Sequence, residues 1–123
     1  MEELDVIRAR LETILSAHIP PLRAARKGEA GFEVCGSRTV MQGKQMVEGH
    51  YFASVVPKPK DVRLYFFPIY THADSFSEIP EALRKCLKGK SCFHIKKLDE
   101  NLISAVEEMV EKGIHLYQQD GLL

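Results

Sequence analysis

The sequence predicts an α+β fold, in which helices pack on a four-stranded, mainly antiparallel sheet. Apolar residues near both ends of the chain recur at i, i+3, i+4 and i+7, the spacing of an amphipathic helix. Between residues 32 and 67 the period changes to two, which is typical of strands. Because the links between these strands are short, they favour an antiparallel meander over parallel strands, which need long crossovers.

The first element is an amphipathic helix. Its apolar stripe consists of Leu4, Ile7, Leu11, Ile14 and Leu15. We expect the helix to end before Pro20, because proline disfavours helix in the residue before it and cannot donate a backbone hydrogen bond. Residues 21–29 follow, and we expect a short helical turn or a loop there, since "RKGEAG" is typical of loops.

Three strands form the predicted meander. They read "FEVCGSRTV", "GHYFASVV" and "VRLYFF". The first link, "MQGKQMVEG", is turn-like, and the second, "PKPKD", contains two prolines that exclude it from a hydrogen-bonded ladder. The chain then enters a predicted loop over residues 68–78.

A second helix is predicted over residues 80–88, with Pro80 in its first turn and Gly89 just past its end. Its apolar face would comprise Ile79, Ala82, Leu83, Cys86 and Leu87. We expect this helix or the 68–78 loop to cover part of one sheet face. The first and last helices would then pack on the other face.

The fourth strand, "SCFHIK", precedes a last helix for which Asp99 is the predicted N-cap. The apolar face of that helix comprises Leu102, Val106, Met109, Val110 and Tyr117. We find no internal repeat or linker, so residues 1–123 are expected to form a single domain.

Composition narrows the possible functions. The 17 basic and 17 acidic residues cancel, which argues against a general nucleic-acid binder. The N-terminus does not resemble a signal peptide, and no apolar run approaches the ~18–20 residues that span a bilayer. Three cysteines, an odd number, favour free thiols. We therefore expect a cytoplasmic protein with no membrane or nucleic-acid partner.

The stretch "KCLKGKSCFHIKKLD" at residues 85–99 carries two cysteines, a histidine and five lysines. A metal site, a reactive thiol with its base and an ordinary structural segment are all conceivable. The spacing of Cys86, Cys92 and His94 matches no common zinc pattern and supplies three ligands rather than four. Cys92 and His94 would lie about 7 Å apart along one strand, beyond hydrogen-bond reach. The structural interpretation is favoured, with Cys86 as a buried core residue.

Strand alternation places Arg63 with Tyr65 and His94 with Lys96. Antiparallel pairing can bring the two pairs together, so these four residues are the candidate ligand-binding set. Cations beside aromatic rings favour an anionic or π-rich ligand, or a protein partner. A histidine among them adds positive charge when protonated, which would strengthen the binding of an anion in acid.

The polar side of the last helix suggests a second candidate site, since Glu107, Glu108 and Glu111 lie close together on it. Carboxylate oxygens suit hard cations, although charged helix faces are usually only solvated. No glycine-rich phosphate loop and no catalytic motif is present, so no catalytic residue is predicted and enzymatic activity is left open.

Two segments, "YFASVVPKPKDVRLYFFP" (51–68) and "ALRKCLKGKSCFHIKKLDENLISAVEEMVEKG" (82–113), resemble the YdhG-like family of small bacterial proteins. Its members are of largely unassigned function, and some are described as frataxin-like iron chaperones. The resemblance implies the order of elements given above and a closing helix. Here the turn before the last strand reads Lys88-Gly89-Lys90-Ser91, so one glycine of the family's pattern is absent.

We therefore expect a small binding or accessory domain without catalytic activity, which binds a small ligand or a protein partner on its sheet face and needs no cofactor. The alternative is an iron-binding chaperone that uses the acidic helix residues. A homodimer through the sheet face is also open.

Overall fold

The computed structural model describes residues 2–123 and confirms an α+β fold with an N-terminal helix, an antiparallel sheet and a C-terminal helix. The helices are α1 (Glu2–Ser16), α2 (Pro68–Thr71), α3 (Glu81–Arg84) and α4 (Glu100–Gln119), and a 3-10 turn spans Ala73–Phe76. The strands are β1 (Arg23–Gly28), β2 (Gly31–Cys35), β3 (Thr39–Gln42), β4 (Gln45–Glu48), β5 (Tyr51–Pro57), β6 (Val62–Phe66) and β7 (Cys92–Ile95).

The main sheet has five strands rather than the predicted four, in the order β1-β2-β5-β6-β7, and all neighbours are antiparallel. The additional strand is β1, in the segment predicted as a helical turn or loop. Every residue of β1 is exposed, so this edge strand has no apolar alternation to reveal it. It forms because its backbone pairs with β2 through the tight hairpin that joins Gly28 to Gly31.

The first predicted strand and the link after it also differ from expectation. The strand stops at Cys35, and the chain then forms a separate two-stranded ribbon, β3-β4, instead of a simple turn. The ribbon reverses at Gly43, whose φ of 63° is readily adopted only by glycine.

The helix predicted over residues 80–88 is wrong beyond its first turn. Helix α3 ends at Arg84, and two tighter turns follow, in which the backbone N–H groups of Cys86 and Leu87 donate to the carbonyl oxygens of Leu83 and Arg84. Leu87 then bridges to Phe93 of β7. Two backbone hydrogen bonds hold this pairing, from Lys88 N to Cys92 O and from His94 N to Cys86 O, each 2.8 Å long. Pairing with a strand edge satisfies the backbone groups that further helix would otherwise have satisfied.

The helices lie on one side of the sheet, where they share one hydrophobic core with it. Helix α1 contacts β5, β6 and α4, and both α2 and α3 contact α4. Phe76 of the 3-10 turn meets Phe66 edge-on, so residues 68–84 cover the same face as α1 and α4. The expectation that this segment covers the opposite face is therefore wrong.

The last helix matches its prediction closely. Asp99 caps it by accepting a 2.8 Å hydrogen bond from the backbone N–H of Leu102. The buried residues of α4 include every predicted member of its apolar face: Leu102, Val106, Met109, Val110 and Tyr117.

Gly113 lets α4 approach the sheet closely. A Cβ at this position would lie 2.7 Å from Phe66 Cζ and 3.2 Å from Phe52 Cε1. Both rings are fully buried, so they have little space into which to move. We expect Gly113→Val to lower the free energy of unfolding in urea by about 2 kcal/mol or more, because overpacking outweighs the gain in helix propensity.

The control for this substitution is Ser104→Val, which places the same side chain at an exposed position of α4. It should change the free energy of unfolding by no more than about 0.5 kcal/mol. Equal effects of the two substitutions would show that the close approach of α4 at Gly113 carries no overpacking cost.

Candidate functional site

The sheet face opposite the helices carries the candidate ligand-binding residues. Arg63 of β6 lies directly across from His94 of β7, and Tyr65 lies across from Cys92. Residues opposite each other in an antiparallel pair project to the same side. The structure therefore brings Arg63, Tyr65 and His94 onto one face, and we call this surface the open face.

A bulge shapes the open face on β5. Val34 pairs with Ala53 but Cys35 pairs with Tyr51, which leaves Phe52 without a partner. The extra residue lets Phe52 enter the core against Phe66, although simple alternation would place Phe52 with Ser54. Tyr51 and Ser54 then come together on the open face, with their hydroxyl oxygens 2.7 Å apart.

Lys96 lies past the end of β7 but faces the same cavity as His94. This cavity, which we call the lysine pocket, has a volume of about 490 Å³. It is lined by Asp61, Lys85, Cys86, Lys88, His94, Lys96 and Lys97. Arg63 and Tyr65 lie beside the pocket rather than in its wall. Two of the four predicted ligand-binding residues thus line it.

The strand-like pairing of residues 86–88 with β7 builds one wall of the pocket. Leu87 and Phe93 form an antiparallel bridge and both pack on the core, and Cys86 packs partly against the core as well. Next to this bridge, Cys86 lies across from His94, and Lys88 lies across from Cys92.

Asp61 is the acidic member of the pocket, and it was not among the predicted site residues. It lies in the link before β6, which was predicted only as a turn, and its side chain is 8% exposed. Its Oδ1 accepts a 3.3 Å hydrogen bond from Arg63 Nε, and its Oδ2 lies 3.4 Å from His94 Nδ1. Asp61 therefore balances the charge of Arg63 and turns Nδ1 of the His94 ring toward itself.

The thiols at this site are only partly buried. Cys86 was expected to be buried in the core, but it is only half-buried, since it packs against the edge of the core and also lines the pocket. Its Sγ lies 3.5 Å from the carbonyl oxygen of Ala82. Burial raises the pKa of Cys86, and Lys88 partly opposes this. Burial also raises the pKa of Cys92, against the effects of Tyr65 and Arg63. Both shifts are opposite to that of an activated nucleophilic thiol.

The three glutamates of the iron hypothesis lie elsewhere. Glu107, Glu108 and Glu111 are exposed and line a groove of about 750 Å³ between α1 and α4, with Arg10 and His18 on the α1 side. Within residues 2–123, no three histidine, cysteine or acidic side chains are grouped so as to hold a metal ion. Iron binding at this helix stays a prediction.

In the part of the chain that the structure describes, no helix is both long and apolar enough to cross a membrane. Comparison of the chain with protein families, curated proteins and solved structures finds no match. The resemblance to the YdhG-like family therefore stays an expectation.

Proposed function

We propose that this protein binds a small anionic ligand in the lysine pocket without covalent chemistry of its own. The observation that carries the proposal is the convergence of four lysines on one concave site in a chain of zero net charge. Asp61, the one carboxylate among the lining residues, is already engaged by Arg63. The pocket therefore holds an excess of positive charge that a bound anion would neutralise.

The size of the pocket favours a small molecule over a protein segment. Its volume of about 490 Å³ falls within the range of about 300–1,000 Å³ that is common for small-ligand sites. A lysine ammonium group acts as a compact point charge with three donors, which suits phosphate or carboxylate oxygens. Because the lysines are exposed, we expect affinity to fall as the salt concentration rises.

The test is calorimetric titration with pyrophosphate as the probe. The double variant Lys88→Gln/Lys96→Gln should weaken binding about tenfold or more, because each lost cation contributes on the order of 1 kcal/mol near a protein surface. The control is Lys27→Gln/Lys44→Gln, which changes net charge equally. Lys27 lies in β1, at the opposite edge of the main sheet, and Lys44 lies at the tip of the β3-β4 ribbon.

A further variant, Asp61→Asn, should act in the opposite direction. It removes the one negative charge that lines the pocket and should tighten pyrophosphate binding several-fold. If the wild-type protein does not bind the probe, or if the pocket and control variants weaken binding equally, the pocket is not an anion site.

A further inference from the structure

One row of side chains connects the lysine pocket to the middle of the open face. Lys88 lies across from Cys92, Cys92 lies across from Tyr65, and Tyr65 lies across from Ser54. Neighbouring strands are about 4.8 Å apart, so Tyr65 is roughly 10 Å from Lys88 along this row. A phosphorylated nucleoside can span this distance with its phosphate at the lysine and its base at the tyrosine.

The surface along this row is suited to an aromatic ring. The helices pack on the other side of the sheet, and Tyr65 is half-buried on the open face. Cys92 forms a small floor between Lys88 and Tyr65, and because burial raises the pKa of its thiol it carries no charge near neutral pH. Arg63 precedes Tyr65 by two residues on β6, so both side chains lie on the open face. Its guanidinium group supplies a planar cation beside the ring.

The charge along the row limits the length of the ligand. Beyond Ser54 the next strand contributes Glu33, which lies directly across from Ser54. A carboxylate at this position repels a polyanion that continues across the sheet. The basic surface therefore ends within the space of one nucleotide, which favours a monomeric ligand over a nucleic-acid strand.

We propose that the ligand of the lysine pocket is an aromatic phosphate of the nucleoside monophosphate class, with its phosphate among the lysines and its ring against Tyr65. This inference rests on the proposed anion-binding function and adds the class of ligand to it. An aromatic side chain that stacks with a base commonly strengthens binding by about tenfold or more.

The experiment compares three ligands by calorimetric titration: inorganic phosphate, ribose 5-phosphate and adenosine 5′-monophosphate. In the wild-type protein the nucleotide should bind about tenfold more tightly than ribose 5-phosphate. Tyr65→Thr keeps a residue that favours strands but removes the ring, and it should abolish this difference. Tyr65→Phe keeps the ring and should retain the difference. Neither variant should alter the affinity for inorganic phosphate.

The outcomes separate the two proposals. Equal affinity for the nucleotide and ribose 5-phosphate would rule out the proposal of an aromatic ligand, but it would not contradict the proposed anion site. A preference for the nucleotide that survives in Tyr65→Thr also overturns the proposal of a ring against Tyr65, because the ring then binds elsewhere. If none of the three ligands binds, the aromatic phosphate is ruled out, and the pyrophosphate titration alone decides whether the pocket is an anion site.

Discussion

Replacing Tyr117 by alanine is expected to lower the free energy of unfolding by about 4 kcal/mol, a large share of the total for a domain of this size. Tyr117 is fully buried at the junction of α4 and the sheet. Its ring meets those of Phe52 and His50 edge-on, with centroids 5.3 and 5.0 Å apart. Its hydroxyl donates a 2.7 Å hydrogen bond to the carbonyl oxygen of Tyr51. The substitution removes these contacts and leaves a cavity.

The matched control is Tyr117→Phe, which keeps the ring and removes only the hydroxyl. The carbonyl oxygen of Tyr51 also lies 3.1 Å from His50 Nδ1, so it keeps one polar partner when the hydroxyl is removed. The free energy of unfolding should therefore fall by only about 1 kcal/mol. Urea unfolding of both variants gives the comparison. If Tyr117→Ala costs no more than Tyr117→Phe, the ring does not contribute to the packing described here.

Stability is expected to fall steeply in alkaline solution, because the buried Tyr117 and the partly buried Tyr51 resist ionisation in the folded state. Burial raises the pKa of Tyr51 to about 12, although its hydrogen bond with Ser54 opposes the shift, and burial also raises the pKa of Tyr117. In the unfolded chain a tyrosine ionises near pH 10. The stabilisation is therefore complete below about pH 10 and is lost as the pH rises through 12.

For Tyr51 alone, the free energy of unfolding should fall by about 3 kcal/mol between about pH 10 and 12. Each pH unit between the unfolded and the folded pKa contributes about 1.4 kcal/mol. Tyr51→Phe has no phenol to ionise at this position, so its free energy of unfolding should fall less between about pH 10 and 12. The exposed Tyr70, changed to phenylalanine, provides the control. Burial also raises the pKa values of the three cysteines, so they too lower stability as the pH rises, but they do so equally in every variant.

Urea titrations at several pH values measure these slopes. The same dependence on pH in wild type and Tyr51→Phe would show that ionisation of Tyr51 is not linked to unfolding.

Local periodicity determined the elements that carry their own apolar pattern. The buried residues of α1 are four of its five predicted apolar positions, and the Asp99 cap of α4 was predicted from a short-range signal. Alternation along β6 likewise placed Arg63 and Tyr65 together on the less buried side of that strand. Such features depend on contacts between residues a few positions apart, so the sequence pattern records them directly.

Only the tertiary structure determined the features that arise from pairing between distant segments. The exposed β1 has no apolar pattern, and it forms a strand because its backbone pairs with that of β2. Residues 86–88 follow the apolar spacing of a helix, but the helix does not continue through them because Cys86 O and Lys88 N pair with β7 instead. That change brings Lys88 to the pocket, and the burial of Asp61 beside Arg63 and His94 completes it. The sequence alone singled out His94 and Lys96, while long-range backbone pairing, which depends on which strand edges meet, determined that they converge with the other three lysines and Asp61.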